Sequence, residues 1–107
     1  MNYKYDISII IPAFNQEDFI KETIESALHQ DFSGSYEILI SDDSSQDKTW
    51  EIIKRYAHLS NVKTNRFEIN TSYVGSYNWL IENSQGRFIA HLDGDDFRNI
   101  FNNNLGF

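Results

Sequence analysis

Three carboxylates fall within four positions near the end of this sequence: Asp93, Asp95 and Asp96, in the stretch Gly86-Arg-Phe-Ile-Ala-His-Leu-Asp-Gly-Asp-Asp96. Acids this close repel one another, and holding them ionised together calls for a cation. Oxygen donors with no Cys and no converging His suit a hard ion such as Mg²⁺ or Mn²⁺, which can in turn hold a phosphorylated ligand. The same letters also fit a solvated acidic turn, so what precedes them matters. The apolar run Phe88 to Leu92 is too short for an ordinary helix, and Gly86 and Gly94 bracket it, so a buried strand is expected. Ligands of open α/β sheets collect beyond the carboxyl ends of such strands.

Two further stretches deliver polar residues in the same way. Ile7-Ser-Ile-Ile-Ile-Pro12 reads as a central parallel strand, ended by the donor-less Pro12 and followed by Ala13-Phe14-Asn15. Tyr36 to Ile40 reads as a second strand that delivers Ser41-Asp42-Asp43-Ser44-Ser45. An aromatic such as Phe14 suits a flat base, an isolated carboxylate suits an amide N–H or a sugar hydroxyl, and the triple acid suits a metal.

The elements between these turns must point them the same way. Asn15 as N-cap opens an amphipathic helix over about 16–29, carried by Ile20, Ile24, Ala27 and Leu28. Ser44 or Ser45 as N-cap, with Asp47 in the first turn, opens a second helix burying Trp50, Ile53, Tyr56 and Ala57. Val62 to Ile69 alternates loosely as a weaker strand nearer the sheet edge. Tyr77, Leu80, Ile81 and Ser84 fit a third helix, closed by Gly86 as its C′ residue. The order β-α-β-α-β-α-β implies right-handed crossovers and a parallel sheet with helices on both faces. All three polar turns then open on one edge.

Composition narrows the function classes. The 107 residues are 40% hydrophobic and 15% aromatic, which describes one globular domain and not a disordered chain. A formal net charge of −7 argues against nucleic acid as a partner, and any bound phosphate needs a metal or backbone dipoles. With no cysteine, disulfides and zinc–thiolate sites are excluded. No membrane-length apolar run occurs and the N-terminus does not read as a signal peptide, so a soluble, cytoplasmic chain is expected. Neither GxGxxG nor GxxxxGK[ST] is present, so dinucleotide and P-loop readings lack their phosphate cradle.

In order and spacing these stretches resemble the family 2 glycosyltransferases, which have the GT-A nucleotide-sugar-binding fold. Ile7–Asn15 (ISIIIPAFN) is similar to the family's opening strand and turn, and Tyr36–Asp47 (YEILISDDSSQD) to its second strand and DDGSxD turn. Asn70–Asn78 (NTSYVGSYN) is similar to its NxGxxGNxN loop, and Gly86–Asp96 to its strand and DxD motif. The resemblance covers residues 6–97 and implies a Rossmann-like, mainly parallel GT-A half. It implies transfer of a sugar from a nucleotide donor, a UDP-sugar in the first instance, to a glycan or lipid-linked acceptor that the sequence does not specify. Phe14 with Pro12 and Ala13 would pack against the base, Asp43 would hydrogen-bond it, and Asp42 would support the turn, with Asn15 alongside. Asp95 would contact ribose or metal, Asp93 or Asp96 would complete an Mn²⁺ or Mg²⁺ site bridging the diphosphate, and Asn78 would fix the loop beneath the sugar. Longer relatives would be peripheral to the inner face of the membrane.

Departures from the family pattern are informative. Ser44 replaces the usual Gly after the acid pair, Ser72 replaces the first Gly of the loop, and Tyr77 stands where many members carry Arg. Residues 1–97 read as the N-terminal portion of the domain and 98–107 as the start of a second half, which in the family carries the acceptor site and the catalytic base. The expectation is a donor-binding half, inactive by itself; the alternative is a non-catalytic, truncated remnant. An EF-hand fails because Arg98 and Asn104 occupy its Gly and Glu positions. A phosphoaspartyl hydrolase fails because its acidic motif belongs to the first strand, not the fourth.

Overall fold

The computed structural model describes residues 2–93. The elements are β1 (Tyr5–Ala13), α1 (Ile20–Leu28), β2 (Tyr36–Asp42), α2 (Thr49–Lys54), β3 (Val62–Arg66), α3 (Val74–Asn83) and β4 (Gly86–His91). They build a parallel sheet in the order β3-β2-β1-β4. The alternation of residues along β1 and β2 sorts the core into two layers. Ile7, Ile9, Ile11 and Ala13 join Ile38 and Ile40 on one face, against Ile20, Ile24 and Ala27 of α1 and Ile53 of α2. Ile10 and Leu39 face the other way, against Leu80 of α3 with Tyr77 and Trp79 half-buried beside it. Each wholly buried isoleucine contributes about 2 kcal/mol by transfer from water. The α/β class and the helices on both faces are as expected.

Several details depart from the sequence reading. Pro12 does not end β1, which continues to Ala13 opposite Asp42. Pro12 ends only the ladder to β4. The Leu92 N–H donates to the Ile10 carbonyl at 2.9 Å, so the next donor toward β4 would be the one that Pro12 lacks. Asn15 turns the chain with φ 49° instead of capping α1. The N–H groups of Phe19 and Ile20 donate to the Gln16 carbonyl, and the helix proper starts at Ile20. Helix α2 ends at Lys54, so Ala57 lies beyond it and is exposed, while Ile81 is on the outer side of α3. β4 was expected to be buried but lies at the sheet edge opposite β3. Ala90 and Leu92 are buried there, while Phe88 and Ile89 remain 47% and 46% exposed.

Gly86 opens β4 and is not a left-handed helix cap. A Cβ there would lie 2.4 Å from the Ser8 backbone nitrogen, so glycine permits the close approach of β4 to β1. The same corner holds a buried charge. Glu37 is wholly buried on the α3 face, and its Oε2 accepts from the Ser8 hydroxyl and the Gln85 N–H, both at 2.6 Å. Lys63 Nζ lies 3.1 Å from Oε1 and also donates to the Asn83 carbonyl. One carboxylate thus ties β1, β2, β3 and the entry to β4 at the amino end of the sheet.

Glu37→Ala would strand the Ser8 hydroxyl, the Gln85 N–H and the Lys63 ammonium. The half-exposed lysine can rehydrate, so the expected loss in urea unfolding is about 2–3 kcal/mol, below that of a fully buried pair. A loss under about 0.5 kcal/mol would show that this corner contributes little.

Candidate functional site

The strand order reverses at β1: β2 and β3 lie on one side of it and β4 on the other. The connection leaving β1 enters α1 on one face, whereas α3, which precedes β4, packs on the opposite face. Such a switch point opens a crevice beyond the carboxyl ends of the two strands. Ala13, Phe14 and Asn15 stand at one lip and Asp93 at the other. Pro12 and Ala13 are buried, Phe14 is half-buried, and Asn15 and Asp93 are exposed.

The acid pair at the end of β2 points in two directions. Asp42 faces the α2 side, where it accepts from the Ser45 N–H at 2.9 Å and the Ser45 hydroxyl, with Arg66 Nε 3.4 Å away. Asp43 faces the α3 side. Its carboxylate accepts from the Thr71 N–H at 3.0 Å, the Thr71 hydroxyl at 2.5 Å and the Tyr73 N–H at 2.9 Å, with the Ser76 hydroxyl 3.4 Å off. Both acids are wholly buried and partnered. Neither presents a free oxygen to the crevice in this conformation, because each is spent on shaping a turn.

The β1 and β2 turns are knit together. The Asp43 N–H donates to the Ala13 carbonyl at 2.9 Å, and the Asn15 N–H to the Ser45 hydroxyl at 2.8 Å. Asn15 Oδ1 accepts from the Gln46 N–H at 2.9 Å, so this side chain serves the neighbouring turn and not its own helix. The Gln16 N–H donates to the Thr49 hydroxyl at 2.7 Å. Neither Ser44 nor Ser45 caps α2. Asp47 holds its start, accepting from the Thr49 N–H and hydroxyl at 2.9 and 2.6 Å, and from the Glu17 N–H at 3.2 Å. Partial burial opposes ionisation of Asp47, but these donors outweigh it and hold its carboxyl below the usual range.

Asn15, Ser44, Ser72 and Tyr73 all have left-handed φ, at 49°, 70°, 53° and 70°. All four lie in the loops at the carboxyl edge, where the unusual backbone aims amides at side-chain oxygens. Ser44 and Ser72 are the two positions where the sequence departs from a family glycine, and the structure gives both the conformation that glycine adopts freely. Gly75 keeps its glycine for a different reason: a Cβ would meet the Thr71 side chain at 2.8 Å. Thr71 and Ser76 were not singled out from sequence. Their signal is a hydroxyl on either side of a glycine at a helix start, facing the buried acid that the resemblance assigns to the base.

At the far lip His91, the last residue of β4, is exposed. Its Nε2 lies 3.3 Å from Asp93 Oδ1 and 2.6 Å from the Tyr77 hydroxyl, and the Tyr77 and His91 rings stack at 5.5 Å. Burial, and then the Asp93 charge, raise the Tyr77 phenol above its ordinary value. Asn78 is exposed on α3, outside the hydrogen-bonded knot. Asp95 and Asp96 lie outside the described residues. Among the described residues no group of three or more His, Cys, Asp or Glu side chains could hold a metal. The donor chemistry still fits a hard cation, because Asp93 supplies an exposed carboxylate at the strand end and the two acids that follow it add only oxygen.

The chain is similar to known proteins over most of its length. The profile of Glycosyl transferase family 2 matches residues 8–99. Poly(ribitol-phosphate) beta-N-acetylglucosaminyltransferase TarS of Staphylococcus aureus is 33% identical over 94 residues, which are 86% of this chain and 16% of that protein. The Escherichia coli UDP-Glc:alpha-D-GlcNAc-diphosphoundecaprenol beta-1,3-glucosyltransferase WfaP is 42% identical over 96 residues, covering 85% of this chain and 36% of WfaP. The crystal structure of S. aureus TarS 1–349 in complex with UDP superposes with a TM-score of 0.77 at 27% identity, over 91% of this chain and 30% of that one. Mannosyltransferase PcManGT from Pyrobaculum calidifontis, in complex with GDP-Man and Mn²⁺, shares the fold, with a TM-score of 0.76 at 19% identity over 88% and 28% of the two chains. The chain spans well under half the length of each.

Two substitutions test the strain and the knot. Ser72→Gly should raise stability by about 0.5–1 kcal/mol, because relief at positive φ exceeds the added flexibility of the unfolded chain. Asp43→Asn would turn an amide NH₂ toward donors and should cost about 2–3 kcal/mol. Faster amide exchange at Thr71 and Tyr73 should accompany that loss. Unchanged protection there would show that Asp43 does not hold the loop.

Proposed function

The chain belongs to glycosyl transferase family 2, and on that premise we propose that it forms the donor-binding half of an enzyme that transfers a sugar from a nucleoside diphosphate, UDP in the first instance, to an acceptor in cell-surface glycan synthesis. The observation that carries this reading is the reversal of strand order at β1, which places the half-buried Phe14 beyond one strand end and the exposed Asp93 beyond the neighbouring one. Support comes from TarS, solved with UDP and with UDP-GlcNAc, and from WfaP, whose name specifies a UDP-glucose donor.

In this proposal Phe14, held by the buried Pro12–Ala13 strand end, offers its ring to the base. Asn15 and Asp42 keep the two turns in register behind it. Asp43 sets the wall of the base site through the Thr71–Tyr73 turn. A direct contact from Asp43 to a base N–H would compete with the Thr71 and Tyr73 N–H groups that its carboxylate already accepts from. Asn78, two residues along α3 from the buried Ser76, would act on the sugar side only through the position of the helix. Asp93, Asp95 and Asp96 would hold Mg²⁺ or Mn²⁺ against the diphosphate. Such an ion, when bound, supplies Lewis-acid stabilisation of the departing nucleoside diphosphate. Transfer with inversion requires a base, and we assign that role to no residue of this chain. No helix among the described residues is long and apolar enough to cross a membrane, and we propose a cytoplasmic donor site.

Calorimetric titration of UDP into the 107-residue chain, with and without Mn²⁺, tests the reading. Heat should depend on the metal and vanish in Asp95→Asn/Asp96→Asn. Phe14→Ala should weaken binding roughly 10-fold or more, the scale of one lost base–aromatic stack. No heat from a chain shown by circular dichroism to be folded would overturn the donor assignment.

A further inference from the structure

Resting on that donor reading, we infer that Asn65, Ser41 and Ser76 are positioning residues for nucleobase recognition. They form a one-way chain of hydrogen bonds that ends on Asp43 and holds its carboxylate as an acceptor. Ser41, near the end of β2, and Asp43, just beyond it, share the α3 face, and Asn65 is the register partner of Ser41 on β3. Asn65 Nδ2 donates to Ser41 Oγ at 3.1 Å, and the Ser41 hydroxyl donates to Ser76 Oγ at 3.0 Å. The Ser76 hydroxyl then donates to Asp43 Oδ1 at 3.4 Å. Ser41, Ser76 and Asp43 are wholly buried, and Asn65 is half-buried.

The direction of the chain follows from what each group can give. An amide NH₂ only donates and a hydroxyl has one hydrogen, so a chain that starts on Asn65 Nδ2 runs toward the acid. With the Asn65 oxygen turned to Ser41, both hydroxyls would reverse and Asp43 would lose a donor. Stability alone does not call for these groups. They share the α3 face with Ile10, Leu39 and Leu80, where a pair of bonded hydroxyls can be exchanged for apolar groups at little cost. What the chain supplies is polarity, because linked donors strengthen one another. An acid that receives them presents lone pairs and no hydrogen. An acceptor at that wall favours a base whose facing ring nitrogen carries a hydrogen, as in uracil, over one that offers a lone pair there, as in cytosine.

The test uses the 107-residue chain, by NMR without ligand and by calorimetry of UDP and CDP with Mn²⁺. In the ligand-free wild type the Ser41 and Ser76 hydroxyl protons should exchange slowly enough to be seen, and UDP should bind more tightly than CDP. Two variants break the chain differently. Ser41→Ala/Ser76→Ala removes both hydroxyls together, whereas the carboxylate of Asn65→Asp would draw the Ser41 hydroxyl and reverse the run. Each should narrow the UDP-to-CDP affinity ratio about 5-fold, less than for a short bond because 3.4 Å is long, with the fold retained by circular dichroism. General loosening of the turn would weaken both nucleotides alike. An unchanged ratio in folded variants, no preference for UDP in wild type, or hydroxyl protons exchanging as fast as exposed ones would therefore overturn the inference. If wild type binds neither nucleotide, the donor reading fails and this inference falls with it.

Discussion

A buried carboxylate at the end of β2 governs the carboxyl edge of this sheet. Asp43 has no access to water, and an ionised acid there is tolerable only if donors replace its hydration. The loop that supplies them does so at a conformational cost. Ser72 and Tyr73 both take left-handed φ, so that the Thr71 and Tyr73 amides converge on one point. The Thr71 and Tyr73 amides, with the Ser72 N–H between them turned to Asn70, make a small anion-binding concavity, and the anion here is the protein's own side chain. The strain of two non-glycine residues is thus offset by charge-assisted hydrogen bonds, which are stronger than neutral ones.

The two ends of the sheet use buried acids differently. At the amino end Glu37 meets a lysine and uncharged donors across all four strands, and Gly86 lets β4 close against β1. That corner is compact and far along the strands from the crevice. At the carboxyl end the charges are held by loops, and the hydroxyls of Ser45, Thr49, Thr71 and Ser76 mediate between neighbouring turns. Helix α3 connects the two regimes. Its last turn supplies the Asn83 carbonyl to Lys63, while its first turn carries Ser76 and Tyr77 to the crevice.

Much of this was legible in the residues, and the failures have physical causes. Continuous β-branched runs and helical spacing located every element of the described chain, because burial on two faces leaves a strong pattern. Local rules failed where tertiary partners took over. Asn15 looks like a helix cap by position, yet its oxygen is taken by the Gln46 amide 31 residues away in sequence. Gly86 looks like a helix terminator, yet the neighbouring strand's backbone explains it. The apolar run in β4 suggested two buried faces, whereas among the described residues β4 pairs only with β1, and Phe88 and Ile89 are half exposed. The acids were recognised but their orientation was not. Residue type does not say whether a carboxylate faces solvent or a nest of amides, and only the positions of Thr71, Tyr73 and Ser76 decide that. Asp95 and Asp96 lie outside the described residues, so their roles stand on sequence alone.

In the proposed function a nucleoside diphosphate and a divalent ion meet at the β1/β4 switch point. ¹⁵N-resolved NMR of the chain with UDP and a trace of Mn²⁺ tests it most directly. Paramagnetic broadening should centre on Asp93 and the acids after it, with UDP-induced shifts at Ala13–Asn15, Asp43 and Thr71–Tyr73. Resonances of Glu37, Lys63 and Gly86 should stay unchanged. Broadening spread evenly over surface acids such as Glu17, Asp18 and Glu22, with no shift at Phe14, would contradict it.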